Sequence, residues 1–110
     1  MTEPVVIVHE AARAALADDG RVVAFRPSPR STGSTTWRES PDGPVRDPVL
    51  VSQIGPVEPD SDVALEPYRP LSGFGSLPAW REALRERHGT LPDVGYLYYV
   101  AVPDAAADAE

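Results

Sequence analysis

The opening of the chain, residues 5–26, changes its hydrophobic periodicity twice, and this restricts the folds that are open to it. Val5–Val8 is a continuous apolar run, which predicts a short strand buried on both faces. Glu10–Asp18 is rich in alanine, carries an acid in its first turn and is followed by Gly20, a pattern that predicts a helix. A helix this short is not stable alone in water, so its apolar side must pack against a sheet. The opening therefore predicts an α+β fold.

A second strand is predicted directly after the glycine, over Arg21–Arg26. Side chains alternate across a strand, so Arg21 shares one face with Phe25 and Arg26 lies on the other. Pro27 follows and ends the pairing, because proline has no N–H group to donate.

The middle of the chain is interrupted by proline, glycine and serine. Residues 27–48 predict a long loop with a short edge strand near 35–39. Val49–Ile54 predicts a further strand. Residues 56–72 are broken by prolines, and the pattern favours only an irregular strand over Val63–Tyr68.

The last part of the chain predicts a second helix and a final strand. Ser76 is a suitable N-cap, and Trp80 and Leu84 recur at helical spacing before Gly89. This spacing places Trp80 in the core. Tyr96–Val102 alternates aromatic and aliphatic residues and predicts a buried strand.

Length and composition indicate one folded domain, residues 1–103, followed by a flexible acidic tail at 104–110. The absence of cysteine excludes a disulfide framework, a thiolate metal site and a nucleophilic cysteine. No apolar run approaches the ~20 residues of a membrane helix, and the start lacks the basic region of a secretory signal. We expect a soluble, cytoplasmic protein that does not associate with membranes. The sequence leaves its oligomeric state open.

The net charge of −7 is unevenly distributed along the chain. Residues 20–46 contain five arginines against two acidic residues, so this segment is net +3 within an acidic protein. An excess of negative charge repels polyanions at long range, which argues against long duplex DNA as a partner. The attraction of the positive charges in residues 20–46 is screened beyond about 8–10 Å. The segment therefore favours a small anion, or an anionic group that comes into close contact with it.

Two stretches resemble a known family. PVVIVHEAARAALADDGRVVAFR is similar to the opening of ASCH domains, which belong to the PUA-like superfamily, and GFGSLPAWREALRERHGTLPDVGYLYYVAV is similar to their closing segment. Together the two stretches cover about half of the chain. The resemblance implies a small, mostly antiparallel PUA-like β-barrel of about five or six strands with two helices, and a cleft beside the Gly20 turn. It also implies recognition of RNA or modified nucleosides, and a few family members are hydrolases that act on acetylated cytidine or RNA.

By position in these stretches, Gly20 matches the family's turn glycine and Arg26 matches its strand-end arginine. Arg21 stands near the place of a family lysine. The hydrolase members resemble a site built on that lysine with Thr or Ser and a Glu, but all ten Lys and Arg side chains of this protein are arginine. Arginine stays protonated and cannot remove a proton, so lysine-dependent hydrolysis is excluded. A mechanism that uses Glu39 or His9 stays open.

The candidate ligand-binding site combines the turn glycine with arginines of residues 20–46 and one tryptophan. A guanidinium binds phosphate or a similar group through two parallel hydrogen bonds, and an exposed aromatic ring beside arginine stacks on bases. The alternatives are surface ion pairs for each arginine and a loop anchor for the tryptophan. The predicted binding residues are Gly20, Arg21, Arg26, Arg30, Trp37 and Arg38.

The sequence predicts neither catalytic residues nor a metal or cofactor. His9 and His88 are isolated in the sequence, and His88 suits a cation at a helix C-terminus. We therefore expect the domain to bind RNA or a nucleotide-like small molecule without chemistry. The alternatives are a hydrolase of the same fold that acts on a modified nucleoside or RNA, and a module whose proline-rich segments contact another protein.

Overall fold

The fold is built on one five-stranded sheet in the computed structural model, which describes residues 3–103. The acidic tail predicted at 104–110 lies outside the described residues. The strands are β1 (Val5–Val6), β2 (Arg21–Arg26), β3 (Gly33–Arg38), β4 (Pro48–Val57) and β5 (Gly95–Ala101). The helices are α1 (Glu10–Asp19), α2 (Asp62–Leu65), a 3₁₀ turn (Glu66–Tyr68), α3 (Arg69–Ser72) and α4 (Leu77–His88).

The strand order is β1-β3-β4-β5-β2, so β1 and β2 form the two edges of the sheet. β1 runs parallel to β3, and the remaining neighbours are antiparallel. The two edges nevertheless meet, because Nη2 of Arg26 in β2 donates a hydrogen bond of 2.8 Å to the carbonyl of Val6 in β1. The sheet therefore curls into a half-barrel, which confirms the α+β class and the mostly antiparallel, barrel-like architecture.

The helix α1 begins and ends where the sequence predicts. Gly20 adopts a left-handed conformation with φ of 74°, and its N–H group donates to the Leu16 carbonyl at 2.9 Å. Such a C-cap favours glycine because a Cβ atom is strained there. Ala15 and Leu16 are buried against Val22, Val51 and other side chains on one face of the sheet.

The helix α4 covers a second core cluster. The Ser76 hydroxyl accepts a hydrogen bond from the Ala79 N–H group at 3.2 Å, which confirms the predicted N-cap. Trp80 is 2% exposed and packs with Phe25 and Leu65. The core position predicted for Trp80 is therefore confirmed.

The segment from 62 to 72 is helical, so the irregular strand predicted over Val63–Tyr68 is wrong. Ser61 caps α2 by accepting a hydrogen bond from the Ala64 N–H group at 3.2 Å. Prolines lie within the first two positions of the 3₁₀ turn and of α3. Proline is tolerated there because the N–H groups of a first turn have no partner within the helix. The prolines thus begin new turns instead of preventing helix formation.

The predicted strands differ from the observed ones mainly in length. β1 ends at Val6 because it pairs with β3 at only two positions, and Val6 and Val8 are half-buried rather than fully covered. The strand predicted near 35–39 is β3, which starts at Gly33; its predicted edge position is wrong, because β3 lies between β1 and β4. β4 continues past the predicted end at Ile54, because an irregularity in its pairing with β5 between residues 53 and 55 lets the strand bend and resume.

Candidate functional site

The Arg26 cleft is the space between β1, β2, α1 and α4. Its walls are mostly apolar, and its cavity volume is small, about 50 Å³. Four basic side chains reach it from three directions: His9 ahead of α1, Arg26 at the end of β2, and Arg87 and His88 in the last turn of α4. Its other lining residues are Val6, Ile7, Val8, Ala12, Val22, Val23, Ala24, Phe25, Ser72, Phe74, Trp80 and Leu84.

Arg26 spans the gap between the two edges of the sheet. Its Nη1 donates to the Phe25 carbonyl and its Nη2 donates to the Val6 carbonyl, both at 2.8 Å. The side chain keeps part of its surface exposed, but the guanidinium itself lies deep. Burial, followed by the nearby charges of Arg30 and Arg87, lowers the pKa of Arg26 to about 10. The group is therefore a buried cation at neutral pH, and its hydrogen-bond partners are uncharged carbonyls.

His9 presents an unused nitrogen in this cleft. Its Nε2 is buried and has no hydrogen-bond partner, while its ring makes an edge contact with Phe74 at 5.9 Å between centroids. His9 is also the N-cap residue of α1, and its side chain makes no capping hydrogen bond. A buried polar atom without a partner costs free energy, so it marks a position where a ligand atom is favoured.

His88 is electrostatically coupled to the other three basic groups. Burial lowers its pKa first, and the charges of Arg26, Arg87 and His9 lower it further. Each of these groups is therefore close enough for its field to disfavour protonation of His88. An anion in the cleft would instead favour protonation of His88 and raise its pKa.

Within residues 3–103, no acidic side chain lines the Arg26 cleft. The ion pairs among the described residues are made elsewhere, by Arg46, Arg69, Arg81 and Arg85. In a protein of net charge −7, a cleft with two arginines, two histidines and no carboxylate is a local inversion of sign. Such a cleft attracts anions at short range.

The Gly20 cleft is a second and larger space, of about 460 Å³, between α1 and the end of β3. It has the position that the sequence predicts for a cleft beside the Gly20 turn, but its charges are mixed. Two arginines and three acidic residues line it, and Arg46 lies 5.5 Å from the ring centroid of Trp37 and 3.9 Å from a carboxylate oxygen of Glu39. Its lining residues are Glu10, Arg13, Ala14, Leu16, Ala17, Gly20, Trp37, Glu39, Arg46, Asp47 and Val102.

The structure does not bring the six predicted binding residues to one cleft. Gly20 and Trp37 line the Gly20 cleft, and Arg26 lines the Arg26 cleft. Arg21 is exposed on the opposite face of β2, where a hydrogen bond to the Tyr99 hydroxyl at 3.4 Å raises its pKa. This opposition follows from the alternation of side chains along β2.

The two remaining arginines have local partners. Arg30 donates to the carbonyls of Glu3 and Ser31, and burial lowers its pKa. Arg38 donates from Nη1 to the Pro41 carbonyl at 3.4 Å, while its Nε is buried without a partner. Both residues therefore hold neighbouring segments of chain and line neither cleft.

Trp37 is not an exposed stacking platform. It lies within β3, opposite Val5 of β1, and is 8% exposed. The guanidinium that lies over its ring belongs to Arg46, not to Arg38. The alternative, that the ring anchors its segment to the barrel, agrees with this burial.

Sequence reasoning missed the association of His9, Arg87 and His88 with Arg26. One signal was present for His88: it continues the series Trp80, Leu84, His88 at a spacing of four residues, and the first two members of this series are buried. A polar residue on the buried face of a helix is directed toward the core, not toward solvent. No comparable signal in the sequence marks Arg87.

The arrangement suits anion binding more than acid–base chemistry. Arg26 and Arg87 carry permanent positive charge, and the histidines add donors at the same place. His9 and Glu39, the two groups left open for catalysis, line different clefts. Among residues 3–103, no group of three or more histidine, aspartate or glutamate side chains is placed to hold a metal ion.

No helix within residues 3–103 has the length and apolar character needed to cross a membrane. Comparison with known proteins found no matching family model, no similar curated protein and no similar solved structure. The resemblance to ASCH domains thus stays a prediction, and the function must be argued from the site.

Proposed function

We propose that the protein is a PUA-like, ASCH-type domain that binds a nucleotide-like anionic ligand in the Arg26 cleft. One observation carries the proposal. A buried guanidinium, without a carboxylate partner among the described residues, shares a cleft with three further basic side chains. Burial of a charge is costly unless the charge is paired, so this cleft favours a ligand that brings negative charge.

The apolar walls suit the remainder of such a ligand. The half-buried side chains of Phe74, Val6 and Val8 offer apolar surface for a base or sugar, while the basic groups would hold the phosphate. Ligand sites commonly combine an apolar lining with a few placed polar groups. The cavity volume of about 50 Å³ is enough for a group the size of a phosphate, so the rest of the ligand would lie at the mouth of the cleft.

The net charge of the protein also favours a small ligand over a long polyanion. A net charge of −7 repels an extended polyanion, whereas the titratable side chains that line the cleft within residues 3–103 are all basic. Screening limits the attraction of the cleft to about 8–10 Å at moderate ionic strength. A small ligand can enter this range with little exposure to the acidic surface.

Tryptophan fluorescence provides the test. Trp80 lines the Arg26 cleft and Trp37 lines the Gly20 cleft, so a Trp37→Phe background leaves a single reporter at the proposed site. Nucleoside 5′-monophosphates and a short single-stranded RNA are titrated across a salt series. We expect saturable binding of the mononucleotides that weakens as salt rises.

Arg26→Met and Arg21→Met form a matched pair in this assay, because both arginines belong to β2 and lie on opposite faces. We expect Arg26→Met to abolish the response and Arg21→Met to preserve it. Equal affinities in the two variants would refute the proposed site. A response of the parent protein that is lost in the Trp37→Phe background would transfer binding to the Gly20 cleft.

A further inference from the structure

On the basis of the proposed function, we propose further that the Arg26 cleft recognises a terminal phosphomonoester of a nucleotide and discriminates against the internal phosphodiester of RNA. The two anions differ in charge and in the number of free oxygens. A phosphomonoester carries about −1.5 to −2 at pH 7 and has three terminal oxygens, whereas a phosphodiester carries a single negative charge on two.

The charge of the cleft matches the larger anion. Arg26 and Arg87 supply two permanent positive charges, and no acidic side chain lines the cleft to cancel them. A monoester dianion neutralises both, while a diester leaves one of them unpaired. The electrostatic gain from pairing with the anion is largest for Arg26, because its guanidinium is buried.

The free hydrogen-bond donors also suit three terminal oxygens. A guanidinium has five N–H groups, and in Arg26 the Phe25 and Val6 carbonyls take two of them. The remaining ones have no acceptor among the described residues. His9 adds the buried, unpartnered Nε2, and Arg87 and His88 add donors from α4.

The closure of the sheet disfavours an internal nucleotide. The hydrogen bond from Arg26 to Val6 bridges β1 and β2 beside the cleft, so a continuous RNA strand cannot pass between the two edges at this position. A chain end or a free nucleotide can enter from the mouth and place its phosphate against Arg26. An internal diester would need room for chain on both sides of the phosphate.

The test holds the nucleoside constant and varies only the phosphate. Uridine, the methyl ester of uridine 5′-monophosphate, uridine 5′-monophosphate and uridine 3′-monophosphate are titrated into the Trp37→Phe protein at pH 7.5. We expect the better of the two monophosphates to bind at least about ten-fold more tightly than the methyl ester, and the ester more tightly than uridine. Inorganic phosphate, as a competitor, measures how much of the affinity the anion supplies alone.

A pH series separates charge from shape. The second proton of a phosphomonoester is lost near pH 6, so both esters are monoanions at pH 5. Any change in the charge of the cleft over the same range acts on both ligands, because the same residues face either one. The affinity ratio of monophosphate to methyl ester is therefore expected to fall toward one at pH 5.

Arg87→Met provides the decisive variant, because Arg87 is exposed at the rim and its loss leaves the core intact. This variant should weaken the binding of the monophosphate more than the binding of the methyl ester. Arg85→Met removes an exposed arginine of the same helix that pairs with Glu82, and it should change neither affinity. Equal binding of monophosphate and ester at pH 7.5, both tighter than uridine, would overturn this inference and leave the proposed function standing. Binding of uridine as tight as that of its phosphates, or no binding at all, would overturn both.

Discussion

The buried charge of Arg26 predicts that replacing this residue removes ligand binding without unfolding the protein. The pKa of about 10 is well below the usual value of a solvated arginine, and the difference corresponds to a cost of about 3 kcal/mol for holding the charge in the cleft. Arg26→Met removes this cost. It also removes two charge-assisted hydrogen bonds, to the carbonyls of Phe25 and Val6, each worth about 1.5–3 kcal/mol.

The two effects oppose each other, so the free energy of unfolding of Arg26→Met is expected to lie between no change and a loss of about 3 kcal/mol. Ligand binding adds a separate effect. A ligand at one hundred times its dissociation constant stabilises the native state by about 2.7 kcal/mol. We expect uridine 5′-monophosphate to stabilise the parent protein by this amount and to leave Arg26→Met unchanged.

Urea unfolding with and without the nucleotide, followed by Trp80 fluorescence in the Trp37→Phe background, measures both quantities. Arg21→Met is the control: Arg21 is exposed, so its replacement should change stability by about 0.5 kcal/mol or less and retain the full ligand effect. A ligand-induced stabilisation that survives in Arg26→Met would refute the assignment of the anion to this guanidinium. A stability loss well above 3 kcal/mol would show that the hydrogen bonds outweigh the burial of charge.

Three further predictions concern the frame around the site. Burial first, and then the neighbouring cations, lower the pKa of His88, so the unfolded chain takes up a proton at a higher pH than the folded protein does. The free energy of unfolding without ligand should therefore fall as the pH drops from 7 to 5. In urea unfolding, His88→Gln should make this pH dependence weaker. Gly73 has φ of 91°, and a Cβ atom there would collide with the Ala11 carbonyl oxygen of α1. Gly73→Ala should therefore lower the melting temperature markedly. Gly75→Ala is the control and should change it little, because no atom of the described residues beyond its chain neighbours lies within 4 Å of a Cβ atom at Gly75. Ser76→Ala removes the hydroxyl that accepts from the Ala79 N–H group and should cost about 1 kcal/mol in urea unfolding; an unchanged value would contradict the capping role.

Elements whose signals are local could be predicted from the sequence. α1 and α4 have caps and apolar spacing within a few residues, and the left-handed Gly20 and the buried Trp80 follow from these patterns. The segment from 62 to 72 was misread because proline breaks a long helix but can begin a short one. Which case applies depends on the Ser61 cap and on packing, which periodicity does not reveal.

The composition of the candidate site could not be predicted in the same way. Charge counted along the sequence grouped Arg21 with Arg26 in one site, although the alternation predicted for the strand already placed them on opposite faces, as the structure has them. The groups that do meet Arg26 come from distant parts of the chain, and only the curl of the sheet and the docking of α4 bring His9 and His88 together. Such proximity depends on tertiary topology, which local patterns do not encode.

The bridge from Arg26 to Val6 has a consequence for association between molecules. β1 and β2 end the sheet, and edge strands with unpaired backbone groups are templates for pairing with another chain. The guanidinium takes up the Val6 carbonyl, so this acceptor is closed to an added chain. Because the proposed ligand would use the same guanidinium, its binding should be coupled to how readily this edge pairs with another chain.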